Sequence, residues 1–183
     1  MSVAQEKGKS LLTFPDDYTV IDIETTGVSS AASEIIEIGA LCVRNNEIVD
    51  EFAKFVKPYR PIPFRISQIT GITDEMVKDA APIEEVLPEF LYFAGSDIIV
   101  GHNVSFDMNF IRDRAEYFGQ SFSNDFADTM RLSRKFNTQL VTHKLADLTA
   151  YYGIKNDNAH RAVSDCIATH RIFQEMKKRF GSR

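Results

Sequence analysis

The chain has 183 residues, a net charge of −5 and 44% hydrophobic residues, with 14 Phe and no Trp. This hydrophobic content excludes a disordered chain, and the length suits one domain with a substantial core. The acidic balance argues against a protein that coats long duplex nucleic acid, because such proteins are usually basic.

The start of the chain lacks the apolar core of a signal peptide. We expect residues 1–12 to be a flexible leader and residues 13–183 to form a single domain. No apolar run approaches the length needed to span a membrane, so no membrane partner is expected. Cys42 and Cys166 both fall in apolar patterns, which predicts reduced core residues and favours a cytoplasmic protein.

Apolar periodicity and turn signals divide the rest of the chain into strands and helices. Predicted strands cover residues 18–24, 34–44, 47–56, 97–101 and 126–128, with a tight hairpin at Asn45 and Asn46. Helices are predicted after Thr73 and after Asn103, and a proline-rich connector precedes the first of them at residues 57–63. Further helices are predicted at about 82–94, 129–136, 144–152 and 161–180. A hairpin followed by strands that alternate with helices predicts an α/β fold with a mixed sheet.

Two carboxylates, Asp22 and Glu24, stand two residues apart inside the apolar first strand. Side chains alternate between the faces of a strand, so both point the same way. Like charges on one hydrophobic face repel each other and lose solvation, and a cation between them would remove both penalties. Oxygen ligands at this spacing suit Mg²⁺ or Mn²⁺. A short motif of this kind more often just faces water, so other residues must decide.

Two further acids lie on helical stripes. Asp107 falls inside an apolar stripe, where a carboxylate is rarely left unpaired, although a local cap or an ion pair would also explain it. Asp165 has only small helical neighbours, which would let its helix approach a sheet closely. His160 stands five positions earlier, too far round a helix to share that face. We expect His160 in the loop before the helix, turned towards the same place.

Taken together, these residues resemble a known family. The motifs Asp22-x-Glu24, Asn103-Val-Ser-Phe-Asp107 and His160-Arg-Ala-Val-Ser-Asp165 resemble those of the DEDDh 3′–5′ exonucleases. The chain most resembles the proofreading epsilon-type exonuclease of bacterial DNA polymerase III and its stand-alone relatives, over roughly residues 18–175. Each motif is weak alone, whereas all of them in register are highly specific. The resemblance implies a ribonuclease H-like fold, with a mixed five-stranded sheet flanked by helices.

The resemblance also implies catalytic roles. Two divalent ions, Mg²⁺ or Mn²⁺, would be held by Asp22, Glu24, Asp107 and Asp165, with Asp22 bridging both ions. His160 would be the general base, because an imidazole ordinarily titrates near the working pH. The remaining histidines lack such a context and are predicted to be structural: His102, His143 and His170.

Substrate contacts are implied at two places. In the family, the backbone and hydroxyls at Thr25, Thr26 and Gly27 meet the terminal nucleotide and its 3′-OH, although a plain turn would explain these residues too. Phe106 resembles the aromatic residue that lies against a terminal base, and a core role would explain it nearly as well. Some relatives carry a histidine before their Gly-Ile-Thr run, where this chain has Thr70. A ring contact from that position is therefore in doubt.

The sequence predicts an enzyme that hydrolyses single-stranded DNA from its 3′ end by a two-metal mechanism, in proofreading or repair, and releases nucleoside 5′-monophosphates. An RNA-trimming exoribonuclease of the ribonuclease T or oligoribonuclease kind would use identical catalytic residues, so DNA is favoured without RNA being excluded. A docking module of a polymerase or repair complex is the alternative from another class, with a replicative polymerase as the partner. Gly101 and Cys166 stand where alanine is common in the family, and neither removes a ligand.

Overall fold

The computed structural model describes residues 8–181, in which a sheet lies between two layers of helices. The strands are β1 (Ser10–Leu11), β2 (Tyr18–Thr25), β3 (Ile35–Arg44), β4 (Glu47–Phe55), β5 (Ile99–Gly101) and β6 (Phe126–Asp128). The helices are α1 (Phe64–Thr70), α2 (Asp74–Val77), α3 (Ile83–Ala94), α4 (Ser105–Tyr117), α5 (Thr129–Phe136), α6 (Leu145–Tyr152) and α7 (Ala162–Phe180). Within the described residues, none of these helices is long and apolar enough to cross a membrane.

The sheet is mixed, as predicted, with the strand order β1-β6-β5-β2-β3-β4. Strands β2, β3 and β4 are antiparallel neighbours, whereas β2, β5, β6 and β1 run parallel. Asn45 and Asn46 join β3 to β4 with φ angles of 51° and 69°. Positive φ at both central residues is typical of a tight hairpin turn, so the predicted hairpin is confirmed.

The sequence predictions need correction at three points. The sheet has six strands in the described residues rather than five, because Ser10 and Leu11 pair with Phe126 and Ala127 of β6. The flexible leader predicted for residues 1–12 therefore does not extend this far, and residues 1–7 lie outside the described range. Helix α1, directly after the proline-rich connector, was not predicted.

The core is divided by the sheet into two apolar clusters. On one face, Ile21 and Ile23 of β2 pack with residues of α3 and α4. On the other face, Val20 of β2 packs with residues of α5, α6 and α7. Burial on both faces explains why β2 reads as a nearly continuous apolar run. Cys166 is buried and Cys42 half-buried, and both are free thiols.

The parallel strands bring their carboxyl ends together. Because β2, β5 and β6 run in the same direction, their carboxyl ends meet at one edge of the sheet. Helices α4 and α5 begin directly after β5 and β6 at this edge. Side chains at the end of β2 and in the first turns of these helices are therefore neighbours, although they are far apart in the sequence.

Candidate active site

Strand β2 supplies two acids to this edge. Asp22 pairs across to Gly39 of β3, and Glu24 pairs with Glu37. Both Asp22 and Glu24 are half-buried. Their spacing within a regular strand puts both carboxylates on the same face, as predicted.

Asp107 lies in the first turn of α4 and is only 4% exposed. Strand β5 ends at Gly101, so it does not extend far enough to bond the amide of Ile23. That amide donates instead to Oδ1 of Asp107, at 3.0 Å. The carboxylate is thus held by the backbone of β2, and the described residues place no basic side chain in an ion pair with it. Of the explanations left open by the sequence, this geometry supports a site shared with the acids of β2.

Asp165 reaches the site because α7 approaches the sheet unusually closely. A Cβ atom added to Gly39 would lie 2.6 Å from the carbonyl carbon of Ala162 and 2.8 Å from its Cβ. Only a glycine on the strand and a small residue on the helix permit this contact. The predicted close approach is confirmed, and it places Asp165, 6% exposed, beside the strand position that faces Asp22.

His160 lies in the loop before α7, as predicted. It is exposed and has a φ angle of 64°. Its backbone N–H donates to Oδ2 of Asp165 at 3.0 Å, while the side-chain amide of Asn156 donates to Oδ1 at 2.6 Å. One ligand atom from each of Glu24, His160 and Asp165 lies within 4.8 Å of the others. The loop therefore presents the imidazole to the acids.

Burial and nearby negative charges oppose ionisation of Asp22, Glu24 and Asp107. Burial is the main cause that raises the pKa of Asp22 well above its ordinary value, and the charges of Asp107, Asp165 and Glu24 add to it. Burial raises the pKa of Asp107 to about 8 and that of Glu24 to about 7. Converging carboxylates with raised pKa values mark a functional site and fit divalent cations, which prefer oxygen ligands.

The predicted substrate-binding residues lie next to the acids. The hydroxyl of Thr25 donates to the carbonyl oxygen of Gly27 at 2.7 Å, and the hydroxyl of Thr26 accepts from the amide of Glu34 at 2.9 Å. These hydroxyls therefore shape the turn after β2. Phe106 is half-buried, with its ring centroid 4.8 Å from that of Phe110. It belongs to the core and keeps part of its ring exposed near Asp107.

The other histidines contact hydroxyl groups of the fold. Nδ1 of His102 lies 2.9 Å from Oγ1 of Thr129, and burial lowers the pKa of His102 to about 4. Nδ1 of His143 lies 2.9 Å from the hydroxyl of Ser133, and Nδ1 of His170 lies 3.0 Å from the Tyr18 hydroxyl. Thr70 has no ring to offer a base. It is buried, and its hydroxyl donates to the carbonyl oxygen of Ile66 in its own helix.

Sequence reasoning missed an ion pair at this edge. Glu37 is 5% exposed, and its carboxylate accepts from Arg161 Nη2 at 2.9 Å and Nε at 3.2 Å. The same carboxylate accepts from the amide of Ala162 at 3.0 Å. An acid inside the apolar run of β3 was the available signal, because such an acid needs a partner.

Comparisons with sequences of known proteins identify the family of this chain. Residues 19–173 match the sequence profile of the RNase T type exonuclease family. The PolC-type DNA polymerase III of Caldanaerobacter subterraneus subsp. tengcongensis is 45% identical over 92% of this chain. The PolC-type enzyme of Clostridium perfringens is 43% identical over 90% of this chain. The chain spans 12% of the length of each of these relatives.

Solved structures with the same fold are nucleases. Exonuclease X in complex with 5′-overhanging duplex DNA matches with a TM-score of 0.74 and 27% identity, over 90% of this chain and 93% of that one. A single-stranded DNA complex of Escherichia coli exonuclease I matches with a TM-score of 0.81 and 20% identity, over 90% and 41% of the two chains. The latter shows the fold alone, and the predicted ribonuclease H-like class is confirmed. The chain therefore belongs to the DEDDh 3′–5′ exonuclease family that its motifs resemble.

Proposed function

We propose that this chain hydrolyses phosphodiester bonds at the 3′ end of single-stranded DNA and releases nucleoside 5′-monophosphates. The observation that supports this most is the convergence of Asp22, Glu24, Asp107 and Asp165 with the His160 imidazole at one edge of the sheet. Acids that merely faced water would not be buried together, and the pKa values of Asp22, Glu24 and Asp107 would not be raised.

The acids fit two divalent ions, Mg²⁺ or Mn²⁺. Asp22, Glu24, Asp107 and Asp165 would hold them. When bound, the ions lower the pKa of a water molecule and stabilise the charge that grows on the leaving 3′ oxygen. Ionised carboxylates are the ligands, so metal binding and the stability of the fold are coupled.

The side chains of the chain itself supply the remaining steps. An imidazole nitrogen of His160 takes the proton of the attacking water, and its exposure lets that proton pass on to solvent. The turn at Thr25, Thr26 and Gly27 brings backbone groups close to the terminal nucleotide. The exposed part of the Phe106 ring stacks on a base, an interaction of about 1–3 kcal/mol that tolerates any sequence.

The preference for DNA is supported by the relatives. PolC-type DNA polymerases III are 43–45% identical to the chain, and exonuclease X was solved with duplex DNA. The catalytic residues themselves do not discriminate, since 2′-OH recognition depends on the surrounding surface. Faster release from a matched RNA oligomer than from DNA would assign the enzyme to RNA trimming.

Labelled single-stranded DNA and RNA oligomers with a free or a phosphorylated 3′ end, in Mg²⁺, Mn²⁺ or EDTA, test the proposal. We expect metal-dependent release from the free 3′-OH. Asp22→Ala and His160→Ala should each lose at least about 10²-fold in rate, the scale of a general base. Only Asp22→Ala should weaken Mn²⁺ binding. His143→Ala is the matched control and should keep the rate; folded protein without metal-dependent release contradicts the proposal.

A replicative polymerase is the proposed protein partner, in the cytoplasm, because the curated relatives are PolC-type polymerases of which this chain matches 12% of the length. Titrating labelled chain with purified polymerase, followed by fluorescence anisotropy, tests the association. A docking module without nuclease function predicts saturable binding together with no nucleotide release. Release without binding supports an enzyme that acts on its own.

A further inference from the structure

One charged pair beside the acids has no role in the mechanism above. Glu37 lies directly across from Glu24 in the β2–β3 pairing and is 5% exposed. Arg161 donates to it from Nη2 at 2.9 Å, and from Nε to its two oxygens at 3.2 and 3.3 Å. The amide of Ala162 occupies Oε2 as well, at 3.0 Å. Both oxygens of Glu37 are thus already engaged, and one of its partners, Arg161, is a cationic side chain.

Arg161 is held from a second side. Its guanidinium carbon lies 5.1 Å from the centroid of the Phe55 ring, at the end of β4. A planar fork suits this double contact, because it can pair with a carboxylate and rest on an aromatic face at once. The side chain of Arg161 is nevertheless 42% exposed, so it lies at the rim of the site rather than in the core.

These contacts fix three consecutive residues. The His160 amide is bound by Asp165, the Arg161 side chain by Glu37, and the Ala162 amide by Glu37 again. His160 has a φ angle of 64°, a conformation that non-glycine residues adopt only when their surroundings hold them in it. The ion pair supplies that support on the side of the loop that faces β3.

We propose that Glu37 and Arg161 are positioning residues that hold the His160 imidazole over the acids. The inference rests on the proposed function, since it assigns the pair to the proton-transfer step. The pair acts by anchoring the backbone on the C-terminal side of His160, and neither residue contacts the reacting atoms. A positioned base is needed because small displacements of a catalytic group lower the rate steeply.

Steady-state kinetics of Arg161 variants provide the first test. We expect Arg161→Met to lower kcat at least about 10-fold, with KM changed less than about 2-fold, because the base is displaced while substrate contacts remain. Arg161→Lys should recover only part of kcat, since an ammonium group cannot make the forked contact. Arg44→Met is the matched control: Arg44 pairs with Asp97 at 2.9 Å and its side chain is 39% exposed. Unchanged kcat in Arg161→Met overturns the inference.

A double variant separates positioning from stability. Arg161→Met leaves the buried Glu37 carboxylate without its cation and should lower the melting temperature. Adding Glu37→Gln removes that charge and keeps an acceptor for the Ala162 amide, so the melting temperature should recover while kcat stays low. Recovery of kcat together with the melting temperature would show that the pair is only structural.

A signal independent of catalysis separates this inference from the proposed function. The imidazole resonances of His160 in NMR spectra should shift and broaden in Arg161→Met, while those of His102 and His170 stay in place. Mn²⁺ affinity, measured by calorimetry, should change by less than about 3-fold, because Arg161 bonds to Glu37 and not to a proposed ligand. A wild-type chain without nuclease activity, but with this NMR response, refutes the proposed function and leaves the positioning intact. Unmoved His160 resonances refute the positioning.

Discussion

The two ends of strand β2 treat their polar groups in opposite ways. At its start, the Tyr18 hydroxyl lies 3.0 Å from Nδ1 of His170 and accepts from Gln174 at 2.7 Å, so this buried hydroxyl has two hydrogen-bond partners. At its other end, Asp22 lies near Asp107 and other acids, and burial together with their repulsion raises its pKa. The hydrogen bonds at the first end stabilise the fold. At the second end, repulsion between carboxylates costs stability, and a bound cation would relieve it.

The largest expected effect comes from removing one charge at the acidic end. Asp107→Asn keeps an oxygen that can accept from the Ile23 amide, but loses the carboxylate. We expect nuclease activity to fall at least about 10²-fold, because a metal ligand is lost. Above about pH 8, where the Asp107 carboxylate is ionised, the melting temperature in EDTA should rise, since one like charge is gone. Assays of rate and thermal unfolding measure both, and a drop in both would show that Asp107 is mainly structural.

The acidic end should also make metal-free stability depend on pH. The pKa is raised from 4.5 to about 7 for Glu24 and from 3.8 to about 8 for Asp107. Between the unfolded and folded pKa values, the folded state retains protons that the unfolded chain releases. The stability that these two groups contribute is therefore fully present below about pH 4. It falls as the pH rises and is lost above about pH 8.

We expect the melting temperature in EDTA to decrease steadily over this range, and Mn²⁺ to oppose the decrease most strongly at its alkaline end. Thermal scans with and without Mn²⁺ measure this. Asp107→Asn is the internal control, because it removes one of the two titrating groups and should flatten the slope. A slope that is the same in Asp107→Asn and in the wild type contradicts the assignment.

At the opposite end, the expected effect is on stability alone. Tyr18→Phe removes the hydroxyl beside His170 and an acceptor of the Gln174 amide, which still contacts Asn46 at 3.3 Å. We expect the free energy of unfolding to fall by about 1–3 kcal/mol. Nuclease activity below the unfolding transition should be unchanged. Urea unfolding measures the loss. Tyr92→Phe is the control, since Tyr92 is 92% exposed, and its effect should be within about 0.5 kcal/mol.

The smallest effect is expected at the end of α6. Gly153 has a φ angle of 68° and donates to the carbonyl oxygens of the last helical turn. Gly153→Ala puts a Cβ atom on a left-handed residue and should cost about 1 kcal/mol of stability, without changing the rate. Urea unfolding and a nuclease assay below the transition measure both. A loss of rate in the folded variant would show that the end of α6 is coupled to the active site.

Much of the site could be predicted because its acids break strong patterns. Asp22 and Glu24 interrupt an apolar strand, and Asp107 interrupts an apolar helical stripe. In each case the surrounding residues announce burial and so make the charge informative. Glu37 breaks the pattern of β3 in the same way, but its partner Arg161 is 124 positions away in the sequence, and no local signal joins the two.

Other elements leave no pattern to detect. Strand β1 is two residues long, and its pairing with β6 depends on residues more than a hundred positions later. Helix α1 has Thr70 as its buried residue, while Phe64 at its start is 77% exposed, so no apolar stripe marks it. It ends at Gly71, which has a φ angle of 72°. A glycine can signal the end of a helix, but the sequence has no preceding apolar stripe that would identify the helix it ends.

The shortness of β5 has a consequence for how this domain can vary. A strand that continued past Gly101 by one more pair of residues would compete for the amide of Ile23, and Asp107 would lose the bond that places it. Insertions are usually harmless in connections between helices and strands. Between residues 101 and 105 we expect insertions to yield well-folded protein that has lost its activity. We therefore expect functional variants of this domain to differ in length only in loops away from this junction.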